Sequence, residues 1–258
     1  MENWKLLIKD EIAQLTLNTE KKGNRLVPGV FQELDQVLKD MDVTKVRGLI
    51  LDAAGDDFSQ GFDLSFMLSS DNANPSFLLG IFDTCNRALD RLCNLAIPTL
   101  SVIKGSCVGG GMLIALATDF RVTDSQARFG FPEVKQSLVV NLGLQRVYRL
   151  LGECRTKELV LLGEMISAKR FHEWGATNWI VDHAAFEEQL HAFKKYVHST
   201  PPLAIQANKD LIHNLNKLTF ERSLEFENML QIKVLQSDDF SEAISSFLEK
   251  REPVFQGK

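Results

Sequence analysis

Two glycine-bearing turns hold the residues with the clearest chemical potential, Phe58-Ser59-Gln60-Gly61-Phe62-Asp63-Leu64 and Lys104-Gly105-Ser106-Cys107-Val108-Gly109-Gly110-Gly111. Each follows a short apolar run containing β-branched residues, Val46–Leu51 for the first and Pro98–Ile103 for the second, so both sit where a predicted strand ends. The glycine triplet opens into Met112–Ala117, an apolar stretch without proline that reads as a buried helix. The first turn of a helix offers unpaired N–H groups and positive dipole character. Two such turns brought together can aim two backbone donors at one developing oxyanion. A tight strand-to-helix connection, with glycines that only allow close packing, accounts for either turn taken alone. The pair is what favours an anion site.

The elements that must position these turns follow from periodicity. Lys5–Asp10 and Ile12–Leu17 read as two strands of a hairpin turning near Asp10-Glu11, with a polar loop over Thr19–Asn24. Val30, Leu34, Val37, Leu38 and Met41 recur at helical spacing, as do Phe77, Ile81, Cys85, Ala88, Leu89 and Leu92 ahead of Pro98. Strand, helix and strand repeated in this way favour right-handed βαβ crossovers. From Glu153 the chain reads as successive helices: Thr156–Leu162, Ala168–Trp174, Phe186–Val197, Leu203–Leu215, Phe220–Leu235 and Asp239–Glu249. Ser167 and Ser237 are the expected N-caps, and Pro201-Pro202 starts a new helix. There is no internal repeat and no low-complexity linker. Periodicity supports an α/β class with a helical tail.

Composition narrows the partners. A chain of 258 residues can bury a substantial core, and 45% apolar with 24% charged residues is ordinary for a globular protein. A net charge of −5, with no basic-aromatic stripe, argues against nucleic acid and anionic lipid as partners. Cys85, Cys93, Cys107 and Cys154 form no CxxC pair and no His is spaced to complete a zinc site, so they read as reduced and structural, with no metal expected. The start of the chain lacks a signal-peptide pattern and no uncharged run is long enough to cross a bilayer, which sets a cytoplasmic expectation.

Phe-Ser-x-Gly-x-Asp-Leu followed by Gly-x-x-x-Gly-Gly-Gly at this separation resembles the crotonase (enoyl-CoA hydratase/isomerase) superfamily. Asn24-Arg25-Leu26 with Phe31–Leu34, Ala117–Val122, Phe129-Gly130-Phe131-Pro132-Glu133 and Phe247–Phe255 extend the resemblance over nearly the whole chain. It implies an α/β crotonase-like spiral of ββα units over residues 1–195. A helical C-terminal trimerisation region over 196–258 would belong to the same structural unit. The implied assembly is a homotrimer or homohexamer, and Phe220, Leu224, Phe226, Met229, Leu230 and Val234 could serve such an interface or pack within the subunit. The resemblance also places a thioester carbonyl between the N–H groups of Phe62 and Gly110. Coenzyme A would be part of an acyl-CoA substrate, with no separate cofactor. Its contacts would be Lys21, Lys22 and Asn24 of the polar loop, the backbone at Gly61, Phe62, Asp63 and Leu64, and Phe247 and Lys250 of the last helix. Lys21 and Lys22 read on their own as solvated surface charge.

The acid/base groups separate the reactions of this superfamily. Its hydratases use two glutamates, and at those positions this sequence has Leu113 and Glu133. Adding water across a double bond is best served by two carboxylates, whereas one is enough to shuttle a proton. A leucine on the helix and one retained glutamate resemble the 3-enoyl-CoA to 2-enoyl-CoA isomerases. On that pattern Glu133 takes a proton from C2 and returns it at C4, and Leu113 excludes water from the acyl pocket. An apolar pocket would raise the carboxyl pKa toward neutrality. The same residues admit a surface carboxylate at Glu133 and a plain core leucine at Leu113. The loop Val139–Arg146 is one residue shorter than the pattern, and Asn141 within it reads as a turn residue or a polar contributor to the acyl pocket. His172, His183, His191, His198 and His213 all fall in the helical half, away from the motifs. Residual hydration, decarboxylation, thioester hydrolysis and a catalytically degenerate acyl-CoA-binding scaffold remain as rival readings.

Overall fold

The computed structural model describes residues 2–67 and 74–258. Strands β1 (Trp4–Lys9) and β2 (Ile12–Leu17) form the expected hairpin, and Asp10 and Glu11 take φ of 50° and 56°, the left-handed pair that a two-residue hairpin turn requires. Helix α1 (Pro28–Asp40) begins on a proline and buries Val30, Phe31, Leu34, Val37 and Leu38. Strand β3 (Gly48–Ala53) starts two residues later than the apolar run, because the Arg47 N–H is taken by the Glu11 carbonyl at 2.7 Å. A short helix α2 (Leu64–Met67) follows the first glycine turn, and α3 (Pro75–Cys93) is capped by the Asn74 side chain, which accepts from the Ser76 N–H at 2.9 Å.

The second turn lies between β4 (Thr99–Ile103), β5 (Ser106–Val108) and helix α4 (Gly110–Leu116). The chain continues through β6 (Phe120–Asp124), β7 (Arg128–Gly130), α5 (Leu144–Lys157), β8 (Ile166–Ser167), α6 (Ala168–Glu173) and β9 (Trp179–Val181). It ends in α7 (Phe186–His198), α8 (Pro202–Asn214), α9 (Phe220–Leu235) and α10 (Asp238–Glu249). One sheet runs β1-β2-β3-β4-β6-β9, parallel apart from the hairpin, and a smaller sheet runs β5-β7-β8.

Strand alternation sorts the core into two faces. Leu15, Leu49, Leu51 and Ile103 pack under α1, α3 and α4, while Ile12, Ile50, Leu100 and Val122 face Phe186, Phe193 and Val197 of α7. Burying each of these large side chains contributes roughly 1.5–3 kcal/mol. Every residue of α4 is buried, as expected of a helix that is apolar all round.

The second half holds more than successive helices. Helix α5 begins at Leu144, is broken at Gly152 (φ 74°, ψ 174°), and its second part runs on into Glu158–Leu162, which closes as a π-helical turn before Gly163. Strands β8 and β9 sit inside the run read as helical, since two or three paired residues leave no periodic trace. Ser167 and Ser237 do cap their helices, accepting from the Arg170 and Phe240 N–H groups at 3.2 and 3.1 Å. Helix α7 crosses residue 195 and lies on the main sheet, so the expected division falls inside a helix packed on the core. Arg47 then ties the last helices down: its guanidinium donates to the carbonyls of Val197, Phe255 and Thr200 at 3.2, 2.9 and 3.1 Å. Phe220, Met229 and Ile232 of α9 and Phe247 and Leu248 of α10 remain exposed. No described helix is long and apolar enough to cross a membrane.

Candidate active site

Main-chain hydrogen bonds stitch three separate segments together at one end of α4. The Ser59 N–H donates to the Ser106 carbonyl at 2.9 Å, and the Val108 N–H returns to the Ser59 carbonyl at 2.9 Å, pairing the two glycine turns in parallel. The Gly109 N–H donates to the Gly130 carbonyl at 3.0 Å, which brings in the end of β7. On the other side the Leu26 N–H reaches the Gly61 carbonyl and the Asp63 N–H the Leu26 carbonyl, at 2.9 and 2.8 Å. With these bonds assigned, the N–H groups of Phe62 and Gly110 have no protein acceptor among the described residues. The two turns touch so closely that a Cβ on Gly110 would lie 3.0 Å from the Phe62 ring. Phe62 is in turn stacked on Phe31, with ring centroids 5.5 Å apart.

Beyond β7 the chain turns through buried Phe131 and half-buried Pro132 and delivers Glu133 to the same place. Gly109, with φ 52° and ψ −121°, has no side chain to meet it, and a Cβ there would stand 2.5 Å from the Glu133 Oε1. The Glu133 Oε2 is buried without a hydrogen-bond partner among the described residues. Burial therefore pushes the carboxyl pKa above its ordinary value. Leu113, 2% exposed, stands one turn into α4 and faces the same space.

That space is a cavity of about 500 Å³. Its walls include Leu64 and Phe66 after the first turn, Leu78, Ile81 and Phe82 of α3, and Leu138, Val139 and Leu142 of the loop before α5. Among the described residues, the ionisable groups lining it are Glu133 and Arg25. A larger open groove of about 1050 Å³ lies between α3, α5 and α8, but its lining includes none of Phe62, Gly110 and Glu133. The chemistry follows the smaller cavity: two preorganised amide donors and one desolvated carboxylate can remove a proton next to a carbonyl and hold the resulting enolate.

The sequence pattern of the family described as enoyl-CoA hydratase/isomerase matches residues 8–258. The chain belongs to that family. It is 28% identical over 256 residues to a mitochondrial Delta(3,5)-Delta(2,4)-dienoyl-CoA isomerase of Dictyostelium discoideum, covering 95% of this chain and 87% of that protein. It is 29% identical over 250 residues to a putative enoyl-CoA hydratase of Thermus thermophilus, covering 96% and 98%. The crystal structure of an enoyl-CoA hydratase from Bacillus anthracis superposes with a TM-score of 0.92 at 27% identity over the full length of both chains. The fold is thus the crotonase-like α/β fold with a helical C-terminal region.

Within this member of the enoyl-CoA hydratase/isomerase family the expected site residues fall into two groups. Gly61, Phe62, Leu64, Gly110, Leu113, Glu133 and Asn141 line one cavity. The rest stand apart from it. Asp63 is buried beneath the first turn, where it pairs with Lys21 and accepts from the Ser65 N–H and hydroxyl at 3.0 and 2.7 Å. Lys21 above all, with Ser65, holds the Asp63 carboxyl down to a pKa of about 2. Lys22 is exposed, and its charge acts on Asp57. Asn24 is buried with a φ of 48°, and its amide group donates to the Ala54 and Asp57 carbonyls at 2.8 and 3.0 Å while accepting from the Thr19 N–H at 3.2 Å. Its polar atoms hold the loop. The Asn141 Oδ1 accepts from the next residue, the Leu142 N–H, at 2.8 Å, in the manner of a turn. On α10, Phe247 is exposed and Lys250 closes the helix with a φ of 56°, both outside the cavity lining.

Sequence reasoning missed Gly109, Arg25, Phe66, Leu78 and Phe82 as lining residues. Leu78 and Phe82 continue, at i, i+4 and i+7 spacing into Cys85, the same face of α3 that is buried at Cys85, Leu89 and Leu92, so the extension of that apolar stripe toward the start of the helix was the available signal.

Proposed function

We propose that this protein moves the double bond of a 3-enoyl-CoA into the 2-enoyl position, with Glu133 as its one acid/base. The observation that carries the reading is the largely desolvated Glu133 carboxylate, whose buried Oε2 has no hydrogen-bond partner among the described residues, set against Gly109 beside the Phe62 and Gly110 amides. The Glu133 carboxylate takes a proton from C2, and the C–H electrons flow into a dienolate whose oxygen accepts from both amides. The Glu133 carboxylic acid then delivers a proton to C4, either the abstracted one or one exchanged with solvent while the dienolate is bound. Each preorganised donor is worth about 3–4 kcal/mol of barrier, and a raised carboxyl pKa serves both proton transfers. Leu113 supplies no second carboxylate to hold and activate a water, which supports isomerisation over hydration.

Coenzyme A enters this reading as part of the substrate, with Lys21 and Lys22 at the polar loop and Phe247 and Lys250 as contacts contributed within a homotrimer or homohexamer. The exposed apolar residues of α9 and α10 support such an assembly.

The test is proton exchange followed by NMR in deuterated water on a short 3-enoyl-CoA, for wild type and Glu133→Gln. Deuterium at C2 or C4 together with 2-enoyl product, both lost in the variant while coenzyme A binding persists, is the expected result. A 3-hydroxyacyl product in place of the 2-enoyl one would make the enzyme a hydratase. A thioester that binds and neither exchanges nor shifts would make the chain a binding protein.

A further inference from the structure

Arg121, at the far end of α4 from the Gly110 amide, is buried at 7% exposure and makes no carboxylate ion pair among the described residues. Its nearest acid, Asp119, is already committed: one oxygen accepts from the Thr99 N–H and hydroxyl at 2.8 and 2.9 Å and from the Lys209 ammonium at 2.5 Å. The Arg121 guanidinium donates instead to main-chain carbonyls, Thr118 at 2.7 Å, Asp119 at 3.4 Å and Ala176 at 2.7 Å. Two of these belong to the turn that ends α4. The Thr118 hydroxyl reinforces the turn, standing 2.8 Å from the Ala115 carbonyl and 2.9 Å from the Ser101 hydroxyl.

We propose that Arg121 is a positioning residue for the reaction, fixing through the Thr118 and Asp119 carbonyls the helix whose first residue supplies the Gly110 donor. Helix α4 spans seven residues, about two turns, and is buried throughout, so it moves as a strut. Its leading end is held by the Gly109 N–H on the Gly130 carbonyl. Its trailing end is held by Arg121. A guanidinium buried without a carboxylate is a costly way to fasten a turn, and its planar fork grips several carbonyls at once, which a lysine or an apolar side chain cannot do. Burial lowers its pKa only to about 10, so the grip persists at neutral pH. Slack at this end lets the Gly110 N–H drift from its position opposite the Phe62 N–H.

The inference rests on reading those two amides as the oxyanion donors, and the experiment separates the two claims. Hexanoyl-CoA carrying ¹³C at the thioester carbonyl is bound to wild type, Arg121→Met and Arg121→Lys. The carbonyl stretch is then measured by infrared difference spectroscopy beside kcat, KM and coenzyme A affinity. The stretch of the wild-type complex is expected below that of the free thioester. In Arg121→Met it returns toward the free value and kcat falls about 10²-fold, as a misplacement near 1 Å costs. Coenzyme A affinity is unchanged, and Arg121→Lys lies between. Variants that lose thermal stability but keep the wild-type stretch and the kcat per folded site overturn the inference, since Arg121 would then be structural only. If neither variant folds, the inference also falls. No shift in the wild-type complex itself would refute the oxyanion reading beneath it.

Discussion

Replacing Gly109 by alanine should damage catalysis and stability by different routes, and both can be sized from the structure. The backbone at φ 52° and ψ −121° is one that L side chains rarely adopt, so the substitution carries a penalty of about 1–3 kcal/mol. In a chain of this length each kcal/mol lowers Tm by about 2–4 °C, so the melting point should fall by roughly 2–12 °C. The new methyl group would also lie 2.5 Å from the Glu133 Oε1, where real contacts are at least 3.0 Å. The carboxylate is the mobile partner and must retreat by half an ångström or more, for a loss of about 10- to 10²-fold in kcat/KM. The assay is absorbance of the conjugated 2-enoyl thioester, normalised to folded protein. Gly175→Ala provides the control, because Gly175 has φ 79° with nothing within 4 Å of its would-be Cβ, so it should lose stability and keep its rate. Equal rates in both variants at equal loss of Tm would refute the claim that Gly109 makes room for a working carboxylate.

Glu133 sets a pH dependence whose sign follows from burial. Its folded pKa lies above the ordinary 4.5, so between those values the folded state holds the extra proton. Stability is full below the unfolded value and is lost as pH rises through the folded one. Glu133→Gln should therefore melt higher than wild type at pH 7–8, with the gap closing toward pH 4 in thermal scans, while the wild-type rate climbs with pH through the same raised pKa. Leu113→Glu should introduce hydration, seen as a 3-hydroxyacyl product by chromatography, at a stability cost of about 2–5 kcal/mol for the lost core leucine. A folded variant that still makes no hydroxy product would refute the role given to the second carboxylate. Arg47→Met removes three carbonyl contacts that hold the last helices and should cost about 3 kcal/mol. Its kcat per folded molecule should stay unchanged, and a rate loss without a Tm loss would contradict the assignment of Arg47 to structure.

The elements built from local signals were legible in the sequence. The hairpin turn at Asp10-Glu11, the buried stripe of α1, the serine caps of α6 and α10 and the all-apolar α4 each follow from residue type and spacing. The glycine turns and Glu133 were legible as an ordered set of motifs. What escaped is whatever depends on closure between distant segments. Strands β5, β7 and β8 have three, three and two residues, too few to show a period, yet β5 and β7 are the ones that bring Gly109 and Glu133 together. Asn24 reads as a polar loop residue and a candidate ligand contact, but its φ of 48° and three main-chain bonds become visible only once the Ala54 and Asp57 carbonyls close around it. Leu78 and Phe82 extend the buried stripe of α3 ahead of Cys85, and with Phe66 they line a cavity that exists only when α3 lies over the first turn.

The pairing of Ser59 with Ser106 and Val108, and of Gly109 with Gly130, has a bearing on how such a site can change over time. The groups proposed to bind the oxygen are main-chain atoms held in place by other main-chain atoms, so most codon changes at positions 62, 113 or 141 leave them where they are. The lineage can therefore exchange the side chains that decide where protons go, one at a time, without first losing the capacity to stabilise an enolate. The heritable fragility is confined to the few glycines and to the clamps on α4, and variation elsewhere around the cavity is free to explore new acyl chemistry.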